Sequence, residues 1–218
     1  MSLDSTLDPR EEVRFLSKVN RLVRRLVKRT HFTTRELEAC LLIYYKLVRD
    51  DETNQGLIVG RHQLDMVFDM AFGISDGVTV ARIYNALDKG VTSHVTMEQW
   101  VLMLSLFLRG TIDEKIDHCF KVYDIGGEGV IRREHMLVLL KGSFVKEHEE
   151  DADEENKDLA EIILRKLDMD RDGAISRNDF REAVRKEPEF MECFGQALPD
   201  RAHVYAFSRT FLEKVPKF

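Results

Sequence analysis

The stretch Asp168-Met169-Asp170-Arg171-Asp172-Gly173-Ala174-Ile175-Ser176-Arg177-Asn178-Asp179 decides how the chain is read. Oxygen-bearing side chains stand at its positions 1, 3, 5, 9 and 12, and a glycine stands at position 6. A hard divalent cation needs six or more oxygens, and alternate residues of a short loop can all turn theirs inward. Gly173 permits the sharp turn, and Ile175 at position 8 is placed to pair with a second loop through a short strand. The candidate ligands are the side chains of Asp168, Asp170, Asp172, Ser176 and Asp179, with the carbonyl of Ala174 at position 7. Position 12 departs from the pattern, being Asp179 where a glutamate is usual. A shorter carboxylate reaches a metal less easily through both oxygens, which lowers calcium affinity and lets Mg²⁺ compete. One Ca²⁺ site at most is expected here, with Mg²⁺ or an empty loop as the alternatives.

This is the ligand spacing of an EF-hand, and three weaker copies appear upstream. Asp51 to His62 has a glycine at position 6, Gly56, and an apolar residue at position 8, Ile58, but ends on His62. Asp88 to Gln99 keeps Val95 at position 8, yet carries Gly90 at position 3, Ser93 at position 6 and Gln99 at position 12. Asp124 to His135 keeps Asp124, Glu128, Gly129 and Ile131 but has Gly126, Arg132 and His135 where ligands belong. All three are expected to keep the turn and lose the cation. The predicted fold is all-α: two EF-hand lobes built from four helix–loop–helix units, three of them degenerate. A basic N-terminal helix (1–30), an N-terminal lobe (31–110), a C-terminal lobe (111–188) and a docked helical tail (189–218) complete the expectation.

Composition excludes several classes. With 218 residues, 44% of them hydrophobic, the chain can bury a bilobed core. A net charge of −6 argues against the whole chain binding nucleic acid. No apolar run approaches a membrane span, no signal-peptide core follows the N-terminus, and Met-Ser-Leu is not a myristoylation start. Cys40, Cys119 and Cys193 are odd in number and lack CxxC spacing, so they read as reduced thiols of an intracellular protein.

From Arg10 to Lys28, Val13, Leu16, Val19, Leu22, Val23, Leu26 and Val27 recur at helical spacing, opposite Arg14, Lys18, Arg21, Arg24, Arg25 and Lys28. This helix either packs its apolar stripe on the first lobe or also presents its cations to an acidic partner such as tubulin tails or a coiled coil. Thr33 with Glu36 forms a capping box, and the segment Trp100 to Leu108 is apolar nearly all round and expected to be buried. The acidic run Glu147 to Glu155 reads as a solvated linker. The tail carries Phe190, Phe194, Leu198, Tyr205, Phe207, Phe211 and Leu212, too many apolar groups to stay free, and the groove of the second lobe is its expected home.

The four loops, the segment Leu104-Ser105-Leu106-Phe107-Leu108-Arg109-Gly110 and the tail Phe194-Gly195-Gln196-Ala197-Leu198-Pro199-Asp200 resemble the calaxin family, EF-hand proteins of the neuronal-calcium-sensor type in ciliary and flagellar axonemes. The resemblance runs from about Lys28 to Asp200. It implies a subunit of the outer dynein arm docking machinery, affecting motility of cilia and sperm. It also implies docking-complex coiled coils, axonemal dynein heavy chain and doublet tubulin as partners, and the cytoskeleton of the axoneme as location. In the family the loops equivalent to 88–99 and 124–135 generally look competent for calcium, whereas both have lost ligands here. The leading expectation is therefore a structural adaptor with calcium sensing weakened or lost. The alternative is a sensor whose C-terminal lobe opens on Ca²⁺. An enzyme is not expected, because the chain has no phosphate-binding glycine loop, no HExxH and no convincing nucleophile–base pair.

Overall fold

The computed structural model describes residues 7–49, 58–87, 94–143 and 149–211. In order these form α1 (Pro9–Leu26), α2 (Thr34–Arg49), β1 (Val59–Gly60), α3 (Arg61–Phe72), α4 (Gly77–Leu87), β2 (His94–Val95) and α5 (Met97–Arg109). They continue as α6 (Ile112–Tyr123), β3 (Val130–Arg132), α7 (Arg133–Ser143), α8 (Glu149–Leu167), β4 (Ala174–Ser176), α9 (Arg177–Lys186), a 3₁₀ turn (Pro188–Glu192) and α10 (Arg201–Ser208). Helices dominate, as the sequence predicts. The strands among the described residues make two antiparallel ribbons, β1 with β2 and β3 with β4. The chain folds into two compact units, one of Met1–Gly73, Gly90–Gly110 and Asp200–Phe218, the other of Ile74–Lys89 and Thr111–Pro199. The expected boundaries shift accordingly. Helix α4, placed by sequence in the segment 31–110, belongs to the second unit, and the tail 189–218 divides between the units after Pro199.

In the first unit α1 is capped by Asp8, which accepts from the Arg10 amide, and Pro9 follows with its ring preset for a first turn. Its buried face is Phe15, Val19, Val23 and Leu26, while Val13, expected on that face, is 67% exposed. Phe15 stacks on Tyr45 at 4.4 Å, an anchor the aliphatic count overlooked. At the start of α2 the Thr33 amide donates to Glu36 at 2.8 Å, as the capping box requires. Glu36 is buried and pairs with Arg109 of α5, Nη2 to Oε1 at 2.5 Å. Burial alone raises its carboxyl pKa, but hydrogen bonds from Thr33 and Arg109 outweigh that and hold it low. Trp100 donates its indole N–H to the Cys40 carbonyl at 3.0 Å, and the apolar α5 is buried as anticipated.

The first ribbon pairs Val59 with Val95 and Gly60 with His94. The Tyr44 hydroxyl joins both strands, donating to the Val95 carbonyl and accepting from the Val59 amide. This register corrects the first loop. Val59 is fully buried opposite Val95 and so holds position 8, whereas Ile58 is 36% exposed. Gly60 then stands at the start of α3 and its amide donates to the Gln63 side chain at 3.0 Å, one half of the reciprocal box that Thr96 and Gln99 make for α5. Position 12 is therefore Gln63, not His62. Residues 50–57 and 88–93, which hold most of the remaining ligand positions of these two loops, lie outside the described residues.

Helix α10 packs in the first unit, not in the second lobe. Phe207 meets Phe72 at 5.2 Å and Phe211 lies edge-on to Phe32 at 6.4 Å. With Ile43, Leu47, Met66, Met70 and Trp100, Phe207 borders an apolar cavity of about 340 Å³. Gly73 ends α3 at φ 66°, and a Cβ there would meet the His203 ring at 2.5 Å, so glycine is required on two counts.

The second unit holds two complete helix–loop–helix elements, α6–β3–α7 and α8–β4–α9. Their ribbon pairs Ile131 with Ile175, both fully buried. An ion-pair ladder runs between α6 and α9: Asp117 accepts from Arg177 and Arg181, and Asp113 from Arg185. The acidic run expected as linker is helical from Glu149, where it forms the first turns of α8. The tail up to Pro199 stays here, with Phe194 against Tyr123 at 5.3 Å and the Tyr123 hydroxyl donating to the Gly195 carbonyl at 2.6 Å.

His118 lies buried under this tail segment and hydrogen-bonds the Ala197 main chain. Desolvation drops its pKa to about 4, against an ordinary 6.5. A depressed histidine pKa means the unfolded chain takes up the proton first. The stabilisation is complete above pH 6.5 and drains away as pH falls towards 4, at a limiting rate of about 1.4 kcal/mol per pH unit. Urea unfolding of wild type and His118→Phe between pH 7.5 and 5 checks this, and the variant is expected to give the flatter profile.

Candidate metal centre

The loop between α8 and α9 is wound by its own carboxylates. Asp168 accepts from the amides of Asp172 at 3.2 Å and Gly173 at 2.9 Å, and Asp172 accepts from Ala174 at 2.8 Å. Arg171 at φ 62° and Gly173 at φ 89° turn the chain back on itself at positions 4 and 6. The result brings one oxygen of each of Asp168, Asp170 and Asp172 within 4.8 Å of one another. Desolvation and the facing charges of Asp172 and Asp179 push the Asp170 carboxyl above its ordinary pKa. Three carboxylates converging without a built-in cation suit a hard divalent ion, and these residues fit one.

The remaining candidates stand differently. Ala174 and Ser176 lie in β4. Asp179, 7% exposed, is turned towards the start of α9, where its Oδ2 accepts from the Ser176 amide at 3.0 Å and the Ser176 hydroxyl at 2.5 Å. Ser176 accepts in return from the Asp179 amide at 3.2 Å. The sequence pattern assigns these two side chains to the metal, but the structure uses them as a capping box. A cap of this kind is worth about 1 kcal/mol, a cost that recruiting either to an ion has to meet.

The third loop repeats the winding without the cluster. Asp124 accepts from the amides of Glu128 at 3.1 Å and Gly129 at 2.9 Å, the counterparts of the Asp168 contacts. Gly127 at φ 65° and Gly129 at φ 80° reproduce the same two turns. Its position-5 carboxylate, Glu128, pairs with Arg132 at 3.0 Å, and that neighbour raises the Arg132 pKa. His135 lies across the loop, so that a Cβ on Gly126 would come within 2.8 Å of its Cε1. An imidazole occupies the space that a position-3 carboxylate would use. The spacing of Gly126 and His135 showed both ligands missing, but not that one side chain stands in for the other's volume.

Since the two residues share one space, they should be exchanged together. Gly126→Asp alone drives its side chain into the imidazole and is expected to destabilise without gaining a cation. Gly126→Asp with His135→Glu restores two carboxylates and removes the obstruction. Calcium calorimetry of the double variant against the parent is expected to reveal one additional site, whereas unchanged heats refute this account of the loop.

Comparison with known proteins places these observations. The EF-hand domain pair model matches residues 113–185, which span both loops of the second unit. Calaxin of Xenopus laevis is 40% identical over 196 residues, covering 89% of this chain and 93% of that protein. Calaxin of Bos taurus is 39% identical and calaxin of Homo sapiens 40% identical, each over 187 residues, covering 84% of this chain and 88% of each relative.

Proposed function

Because the chain belongs to the calaxin family, we propose that it is a structural adaptor of ciliary or flagellar axonemes, helping to dock outer dynein arms on doublet microtubules. It is an EF-hand protein of the calcium-sensor type, with an acidic cluster in its last loop. The observation that carries the adaptor reading is the contrast between its two described loops. Asp168, Asp170 and Asp172 converge in one, while in the other the Glu128 charge is taken by Arg132 and the ligand space by His135. The third loop therefore holds its shape with protein groups alone. Partners are docking-complex coiled coils, dynein heavy chain and doublet tubulin, and no step of the role is catalytic.

Asp168, Asp170 and Asp172 would hold a single Ca²⁺ or Mg²⁺, with Ala174, Ser176 and Asp179 as further donors. A bound cation cancels their mutual repulsion and rigidifies the loop. One ion shifts a conformational equilibrium only by its differential affinity for the two states, and a site that must also disrupt a helix cap has less to offer. Calcium sensing is thus weakened relative to a lobe that closes two ions at once. The second reading, a sensor that regulates dynein through its C-terminal lobe, is favoured by the carboxylate cluster itself.

Rebinding to doublets that lack this protein but keep their docking-complex coiled coils separates the two. The adaptor reading expects binding within about twofold in chelator and in saturating calcium, and equal binding by Asp168→Ala. Binding that needs calcium, and is lost in Asp168→Ala, would establish the sensor instead.

A further inference from the structure

Within the first unit, helices α2, α3, α5 and α10 leave an apolar hollow between them. The cavity of about 340 Å³ is walled by Ile43 and Leu47 of α2, Met66 and Met70 of α3, Trp100 of α5 and Phe207 of α10. Trp100 and Phe207 are buried, whereas Met70 is 52% exposed and Ala206 is exposed, so the hollow opens to solvent beside these two. No Lys, Arg, Asp or Glu is among the described residues that border it. Its polar members are already engaged. The Gln63 side chain accepts from the Gly60 amide at 3.0 Å and donates to the Leu47 carbonyl at 2.8 Å. The Thr210 hydroxyl donates to the Phe207 carbonyl at 2.6 Å, and His203 Nδ1 lies 2.9 Å from Asp200 Oδ1. A guest therefore meets apolar surface and no charged partner.

We propose that this cavity binds a neutral aromatic small molecule of about two rings. Volume sets the size. A dry apolar cavity of about 150 Å³ holds one benzene, so this one has room for roughly twice that, at the lower end of the roughly 300–1,000 Å³ of ligand pockets. Two turns of a partner helix, about 10 Å across, need on the order of 800 Å³. That side of the hollow is also closed by α10, held by Phe207 against Phe72 at 5.2 Å and against Phe211 at 5.5 Å. Chemistry sets the class. A carboxylate or ammonium buried beside these side chains would stay unpaired, which disfavours fatty acids and cationic amphiphiles. The rings of Trp100 and Phe207 offer edge and offset contacts to an aromatic guest. The flexible thioethers of Met66 and Met70 shape themselves around it. The site depends on neither the cation loops nor the adaptor reading.

The test is a fluorescence titration of the full chain with N-phenylnaphthylamine, a neutral dye that brightens when it leaves water. One saturable site per chain is expected. Ala206→Phe puts a ring into the opening and is expected to weaken binding about tenfold or more. Val138→Phe, which adds a ring at an exposed site on α7, is expected to leave binding within about twofold. Should Ala206→Phe lower the melting temperature, Ala206→Leu narrows the opening with less added volume and is expected to weaken binding about threefold or more. Naphthol is expected to displace the dye at a concentration about tenfold or more below that needed by naphthoate, which has the same rings and a negative charge. Binding that never saturates, or that is equally tight in wild type and the Ala206 variants, overturns the inference. So does displacement by naphthoate as readily as by naphthol, or by an amphipathic helical peptide ahead of naphthol.

Discussion

Ile131 and Ile175 face each other as the middle of three residue pairs, and that short ladder makes two loops into one object. Both are fully buried, each contributing roughly 1.5–3 kcal/mol of apolar burial. A loop in such a pair cannot relax independently, so losing a cation from one side threatens the ladder itself. The third loop meets the constraint with covalent and side-chain means. Gly127 and Gly129 hold the turns, Asp124 ties two amides, Arg132 neutralises Glu128, and His135 fills the space beside Gly126. The partner loop is thereby presented to solvent in a wound state, with its three carboxylates already together.

The same geometry explains why position 12 matters beyond ligand count. Positions 9 and 12 of an EF loop are also the cap and third residue of the helix that leaves it. Ser176 with Asp179 and Thr96 with Gln99 make reciprocal capping boxes, and Gln63 performs its half of the same arrangement for Gly60. Where the residue is a glutamine only the cap remains, and the helix keeps its start without a charge. Where it is a short aspartate, cap and metal compete for one carboxylate. The helix starts at α3, α5 and α9 are thus kept whatever residue stands at position 12.

Much of this was legible in sequence because it is local. The Asp168 spacing, the capping box of Thr33 and Glu36, and the apolar Trp100–Leu108 helix each need only a short window, and each lies where the pattern put it. What escaped depends on tertiary partners. Counting aliphatics along α1 favoured Val13 over Phe15, because nothing local announces that Tyr45 supplies the stacking surface. The first loop was misregistered by one residue, since Gly56 drew the alignment and the deciding contact, Val59 with Val95, lies in a distant segment. The aromatic tail signalled docking correctly but not that Phe194 and Phe207 would join different units. The buried Glu36–Arg109 pair was hidden because a capping glutamate ordinarily faces solvent.

We propose one cation site in an otherwise protein-held pair of loops. Calorimetric titration with calcium in excess Mg²⁺, on wild type and Asp168→Ala, tests it most directly. A single weak saturable site in wild type, absent from Asp168→Ala, is expected. Two or more sites, or a site that survives Asp168→Ala, would contradict it.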